Sequence, residues 1–135
     1  MAGGKRMGER ERVAAWFDAY VRAWESYDPT AIGDLFAEDA AYFYGPFDEA
    51  VRGRDAIVAS WLGDRRDEPG TYRASYAPVA VEGDVAVANG RSRYFQGDGT
   101  TFVTEYDNIF VLRFGPDGRC REFREWFMER PKGEG

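Results

Sequence analysis

Apolar positions along the chain fall first at helical spacing and then at strand spacing. From Arg10 to Tyr27 they occur at Val13, Trp16, Phe17, Tyr20, Trp24 and Tyr27. Steps of three and four put these side chains on one face of an amphipathic helix. Asp28-Pro29 stops that pattern and starts another, because Asp caps a helix N-terminus and Pro fits the first helical position. Ile32, Leu35 and Phe36 give this second helix its apolar side. Ala40 to Tyr44 reads as a short aromatic strand ended by Gly45-Pro46, and Gly53 to Leu62 as a third helix with Ile57, Val58, Trp61 and Leu62 apolar. A charged loop follows from Gly63 to Gly70.

The texture then changes to four β-type runs: Thr71–Val81, Val85–Phe95, Thr100–Phe114 and Arg119–Met128. Glu82-Gly83-Asp84, Gln96-Gly97-Asp98-Gly99 and Gly115-Pro116-Asp117-Gly118 separate them, and such segments form hairpin turns. Helices first and a strand meander afterwards predict an α+β domain, a curved antiparallel sheet with helices closing one face.

Alternation assigns the strand faces. In the second run the odd positions hold Val85, Val87 and Phe95, which predicts that the odd face is covered and brings Asn89, Arg91 and Arg93 with it. In the third run the more apolar set is Tyr106, Asn108, Phe110, Leu112 and Phe114, with Asn108 its polar member. In the fourth, Phe123, Glu125 and Phe127 share a face. A covered aromatic surface with a few convergent polar groups is the usual form of a small-molecule site. The alternative is that Glu125 and Arg91 or Arg93 simply pair as a structural ion pair, and one β-bulge would turn these residues outward.

Composition narrows the chemistry. In 135 residues, 18 Lys and Arg face 24 Asp and Glu, a net charge of −6. This argues against nucleic acid as a partner and against a polybasic membrane anchor. Histidine is absent, so Ser-His-Asp and Cys-His catalysis and His-ligated metals are excluded. The single cysteine, Cys120, can form neither an intrachain disulfide nor a CxxC zinc site. No apolar run reaches the roughly 18 to 20 residues of a membrane span, and no signal-type segment follows the N-terminal charges. The expectation is a soluble cytoplasmic protein with one domain over residues 10–130 and mobile ends at 1–9 and 131–135.

Three stretches carry a family resemblance: YVRAWESYDPTAIGDLFAEDAAYF from Tyr20, GRDAIVASW from Gly53 and DNIFVLRFGPDGRCREFREWFMER from Asp107. Over about Arg10 to Arg130 the chain resembles the SnoaL-like branch of the nuclear transport factor 2-like superfamily. The resemblance implies a cone-shaped α+β barrel whose curved sheet wraps the long first helix, with a deep pocket at its open end. It also implies a homodimer through the outer sheet face, to which Ile109, Val111, Trp126 and Met128 would supply apolar area beside the small residues Ala86, Ala88 and Gly90. Steroid isomerases of the superfamily use a Tyr on the first helix as an oxyanion donor, and Tyr20 sits at that place. Their two acids fall at Tyr44 and Phe110, so that machinery is missing. Limonene epoxide hydrolases use an acid in the last strand, matched by Glu125, and an Arg matched by Arg91; their second acid falls near Arg93. Polyketide cyclases of the family rely on a pocket acid without a metal, again matched by Glu125.

These readings converge on cofactor-free acid–base chemistry, whether cyclisation, isomerisation, dehydration or hydrolysis, on a small, largely apolar oxygenated molecule. Desolvation favours the neutral carboxyl and makes Glu125 an acid, whereas a nearby guanidinium would make it a base. Tyr20 and Asn108 are the donors toward an oxygen where charge develops. The expected binding surface comprises Arg91, Arg93 and Asn89, then Trp24, Tyr44 and Trp61, and finally Tyr106, Phe110, Phe123 and Phe127. Trp24 reads equally as core, and Trp61 reads as core more readily than as a ligand platform. A non-catalytic ligand-binding or dimerisation module of the same fold is the alternative.

Overall fold

The computed structural model describes residues 8–63 and 66–132. Most of the expected mobile ends, residues 1–7 and 133–135, lies outside the described residues. Of the remainder, Gly8 caps the first helix, Glu9 opens it, and Pro131 and Lys132 carry no regular structure.

Helix α1 (Glu9–Ser26) buries Val13, Trp16, Phe17, Tyr20 and Ala23, the stripe set by the three-and-four spacing. It stops at Tyr27, whose backbone is left-handed at φ 51° and whose N–H bonds Ala23 O. A non-glycine residue rarely adopts this conformation. Here the Tyr27 hydroxyl accepts the Asp67 N–H at 2.7 Å, which ties the residue to a distant loop. Helix α2 (Pro29–Asp34) starts at the Asp28 cap, whose Oδ1 accepts the Thr30 N–H at 3.2 Å.

Strand β1 (Phe36–Phe43) begins earlier than the hydrophobic pattern indicates. Phe36 leaves the second helix and pairs beside Cys120 instead, because its ring is then fully buried. A two-residue strand β2 (Val51–Arg52), not foreseen from the pattern, precedes helix α3 (Arg54–Leu62). Strands β3 (Tyr72–Glu82), β4 (Val85–Phe95), β5 (Phe102–Phe114) and β6 (Cys120–Glu129) follow within two residues of the expected limits. They form one open, curved six-stranded sheet in the order β2-β1-β6-β5-β4-β3. The β1–β6 pair is parallel, so the sheet is mixed rather than wholly antiparallel. Among the described residues no helix is long and apolar enough to cross a membrane.

The core lies between α1 and the inner face of the sheet. Phe17, Phe36, Phe110 and Phe123 are essentially inaccessible. Phe17 meets Phe110 at 5.2 Å, and Tyr20 stacks on Phe123 at 5.6 Å. Trp16 Nε1 donates to Leu35 O at 3.0 Å, satisfying the one polar atom of that buried ring. At the other end of β3, Arg10 donates to Pro78 O and Val79 O, beside a register shift between Pro78 and Ala80.

Strand β4 corrects the face expected from its sequence. Ala86, Ala88 and Ser92 are buried, while Arg91 and Arg93 are exposed. The larger odd-numbered residues therefore face outward, and Ala86, Ala88 and Gly90 are not part of the outer face. The reason is room. A Cβ on Gly90 would lie 2.0 Å from Ser75 O and 2.7 Å from Tyr76 Cα. Small residues on the inner side of β4 let Tyr76 of β3 and Phe110 of β5 meet at 4.7 Å. A second shift, between Arg113 and Phe114, brings Cys120 opposite Phe114 and into the core, not onto the outer face that strict alternation assigns it.

Candidate functional site

A cavity of about 150 Å³ remains where α1, α3 and the inner sheet face diverge. Helix α1 and its cap supply Tyr20, Trp24 and Tyr27; β1 and the residue after it supply Tyr42 and Tyr44; α3 supplies Trp61. Tyr76 comes from β3, Ser92 and Tyr94 from β4, Asn108 from β5 and Glu125 from β6. Asp67, on the loop before β3, completes the wall. The cavity shares Asp67, Ser92, Tyr94, Asn108 and Glu125 with a shallower trough of about 480 Å³, which Val103, Thr104, Tyr106 and Phe127 extend.

Adjacent strands build the polar centre. Ser92 Oγ donates to Asn108 Oδ1 at 3.0 Å, and Asn108 Nδ2 donates to Glu125 Oε2 at 2.8 Å. This relay crosses β4, β5 and β6 and fixes the carboxyl in one position. Burial pushes the Glu125 carboxyl up to about 7, against the smaller opposing pull of the Asn108 hydrogen bond. Desolvation penalises the charged form, and no cation compensates among the described residues.

The phenols behave alike. Burial raises Tyr20 and Tyr42 well above the ordinary phenol value, and their hydroxyls lie 3.5 Å apart. Tyr76 and Tyr94 are also raised, first by burial and then by neighbouring charge. All four stay protonated across the physiological range and act as hydrogen-bond donors. Tyr44 is held by Ser60, hydroxyl to hydroxyl, at 2.6 Å.

Asp67 is the second carboxylate. It accepts from Trp24 Nε1 at 3.1 Å, and its own N–H is held by Tyr27. Partial burial raises its titration above the usual carboxylate range, with Trp24 and Tyr27 pulling the other way. Trp24 is itself fixed by stacking on Tyr72 at 4.3 Å.

Of the residues singled out in the sequence, Glu125, Tyr20, Asn108, Trp24, Tyr44 and Trp61 come together around the cavity. Tyr106 and Phe127 lie in the trough, Phe127 at 56% exposure because β6 runs beyond its cover there. Phe110 and Phe123 are fully buried core and do not line the hollow. Asn89, Arg91 and Arg93 are on the opposite side of the sheet. Asn89 donates to Asp107 at 2.8 Å, Arg91 lies 3.2 Å from Asp107, and Arg93 lies 3.4 Å from Glu105. Their absence from the pocket follows from the inverted face of β4.

Sequence reasoning missed Tyr27, Tyr42, Asp67, Tyr76, Ser92 and Tyr94 as lining groups. The correct face of β4 would have given Ser92 and Tyr94. Asp67 lies in a loop without periodicity and left no such signal. Among the described residues no group of three or more His, Cys, Asp or Glu side chains is placed to hold a metal ion.

A family model described as a SnoaL-like domain matches residues 17–123. Among solved structures, an NTF-2 like protein of unknown function from Burkholderia xenovorans is similar to this chain at 18% identity. The alignment covers 95% of this chain and 92% of that one, with a TM-score of 0.67. At this identity the likeness speaks for the fold. No curated protein matches the chain.

Proposed function

The chain belongs to the SnoaL-like domain family, and on that footing we propose that its cavity carries cofactor-free acid–base chemistry on a small molecule, with Glu125 moving the proton. One observation carries this reading: a carboxyl held by Asn108 in an aromatic hollow and poised at about 7. A group titrating near the working pH is present in both protonation states and loses little driving force in either direction. Asn108 is then a positioning residue, itself oriented by Ser92. Tyr20, Tyr42 and Tyr76 supply protonated hydroxyls to an oxygen that gains charge. Arg91 and Arg93 have no part in this, because they serve the other face.

The hollow is about the size that holds a benzene-like ring, and the trough accommodates substituents. A largely apolar substrate with an oxygen at the Glu125 end suits these walls. Cyclisation, isomerisation, dehydration and hydrolysis all draw on this constellation.

The test uses a panel of small ring ketones and epoxides in D₂O, with exchange and ring opening followed by NMR. The wild-type protein should accelerate at least one reaction by about 10²-fold or more, and Glu125→Gln should abolish the gain. Turnover that survives Glu125→Gln overturns the assignment. Binding without turnover by the wild type would favour a non-catalytic binding module of the same fold.

The family footing also supports a homodimer through the outer sheet face. Ile109 lies opposite Trp126 in the β5–β6 register, and both are over a third exposed, at 42% and 39%. Met128 is 75% exposed, and Val111 continues the strip. Exposed apolar area of this kind on one sheet face marks a contact surface.

A further inference from the structure

The charge of the cavity wall says what kind of molecule it accepts. Its two ionisable acids, Glu125 and Asp67, are joined by no lysine or arginine among the described lining residues. Neither forms an ion pair among the described residues, although the outer face of the same sheet surrounds Glu105 with Arg91, Arg93 and Arg130. Arg66, which precedes Asp67 in the chain, is exposed, stands 4.8 Å from the Tyr27 ring centroid and is not part of the wall. Most of the remaining wall is Tyr and Trp. Aromatic faces are electronegative and attract cations, and two carboxylates in a partly desolvated hollow repel anions.

We propose that the ligand of this cavity carries an organic cation, a protonated or quaternary amine, held by Asp67 and Glu125 within the aromatic wall. The proposal rests on the reading of the cavity as the working site and adds the substrate class. The same wall disfavours a substrate carboxylate or phosphate wherever its acids are ionised. The protein's net charge of −6 draws such a cation toward the mouth. Within the hollow, the ammonium group replaces part of the hydration that the carboxylates lose and adds an opposite charge, which a neutral alcohol or a hydrocarbon does not.

The pH dependence follows from the groups facing Glu125. These are Tyr20 from α1, Tyr42 from β1, Tyr76 from β3, Tyr94 from β4 and Asp67 from the loop before β3. The phenols stay protonated up to alkaline pH, so Glu125 is the group that changes charge near neutrality. Cation binding strengthens as pH rises through that titration.

Three benzene-sized probes separate the possibilities: benzylamine as the ammonium, benzyl alcohol as its neutral counterpart and benzoate as the anion. Binding is read by calorimetry and by the fluorescence of Trp24 and Trp61 on the intact chain. At pH 8 the ammonium should bind about tenfold more tightly than the alcohol, and benzoate should not bind. Lowering the pH to 5.5 should erase most of that preference. Asp67→Asn and Glu125→Gln should each move the ammonium toward the alcohol's affinity, with alcohol binding retained as the check that the hollow is intact. Equal or tighter binding of the alcohol, or any binding of benzoate in the hollow, overturns the cation assignment and leaves the acid–base reading standing. Failure of all three probes to bind overturns the cavity as a working site, and the cation proposal with it.

Discussion

Glu125 is the residue at which stability and chemistry conflict. In the unfolded chain a glutamate titrates at roughly 4.3, and in the fold burial raises it to about 7. Between those values the native state holds a proton that the unfolded state has lost, so stability falls as pH rises through the window. Below it both states are protonated and the penalty vanishes. Glu125→Gln removes the charge and keeps the shape. The variant should therefore match the wild type near pH 4 and exceed it by on the order of 3 kcal/mol at pH 8, as measured by denaturant unfolding across pH. Asn108 stabilises the ionised form, so Asn108→Leu should raise the Glu125 titration further, visible in the carboxyl ¹³C shift. Glu105 behaves oppositely. Arg130, Arg91 and Arg93 hold it below the usual carboxylate range, so its contribution to stability is present at neutral pH and fades on acidification.

At the scale of elements, the inner side of β4 decides where the cavity walls stand. Gly90→Ala puts a Cβ against the backbone of β3, with no flexible side chain to yield. The strands must separate, and overpacking of this kind costs about 1–3 kcal/mol or more; thermal melting should show it, with the Tyr76 ring displaced. Asp28→Ala removes the only side-chain cap of α2 and should cost about 1 kcal/mol, read by the same melt. These two residues also mark what the sequence disclosed. The cap, the helix stripe, the hairpin turns and the inward phase of Asn108 and Glu125 are local signals with local causes. The phase of β4 is not local. Judged alone, its valines and Phe95 outweigh its alanines, yet the inner side needs small residues because rings from β3 and β5 fill the space. One inverted strand moved Asn89, Arg91 and Arg93 to the wrong side. The Phe36 boundary failed similarly, since helical spacing and burial in a strand both suit a phenylalanine, and only the tertiary partner Cys120 decides.

For the whole molecule, the outer face of the sheet carries apolar area that is still uncovered at Ile109, Trp126 and Met128. If it joins two copies, the double variant Trp126→Glu, Met128→Asp should halve the mass seen by light scattering while leaving circular dichroism unchanged. A wild-type chain that is already monomeric at high micromolar concentration would sink the dimer.

The inward turn of Cys120 has a practical consequence. Its Sγ is sealed beneath the sheet, donates to Glu122 O, and is pushed by burial far above the range in which thiols ionise. The thiolate is the form that attacks maleimides and aromatic disulfides, so the native chain should resist both and become reactive only in denaturant. A cysteine introduced at the trough, for instance Thr104→Cys, would then accept one fluorophore without removal of the native thiol, and its emission would report directly on occupancy of the neighbouring hollow.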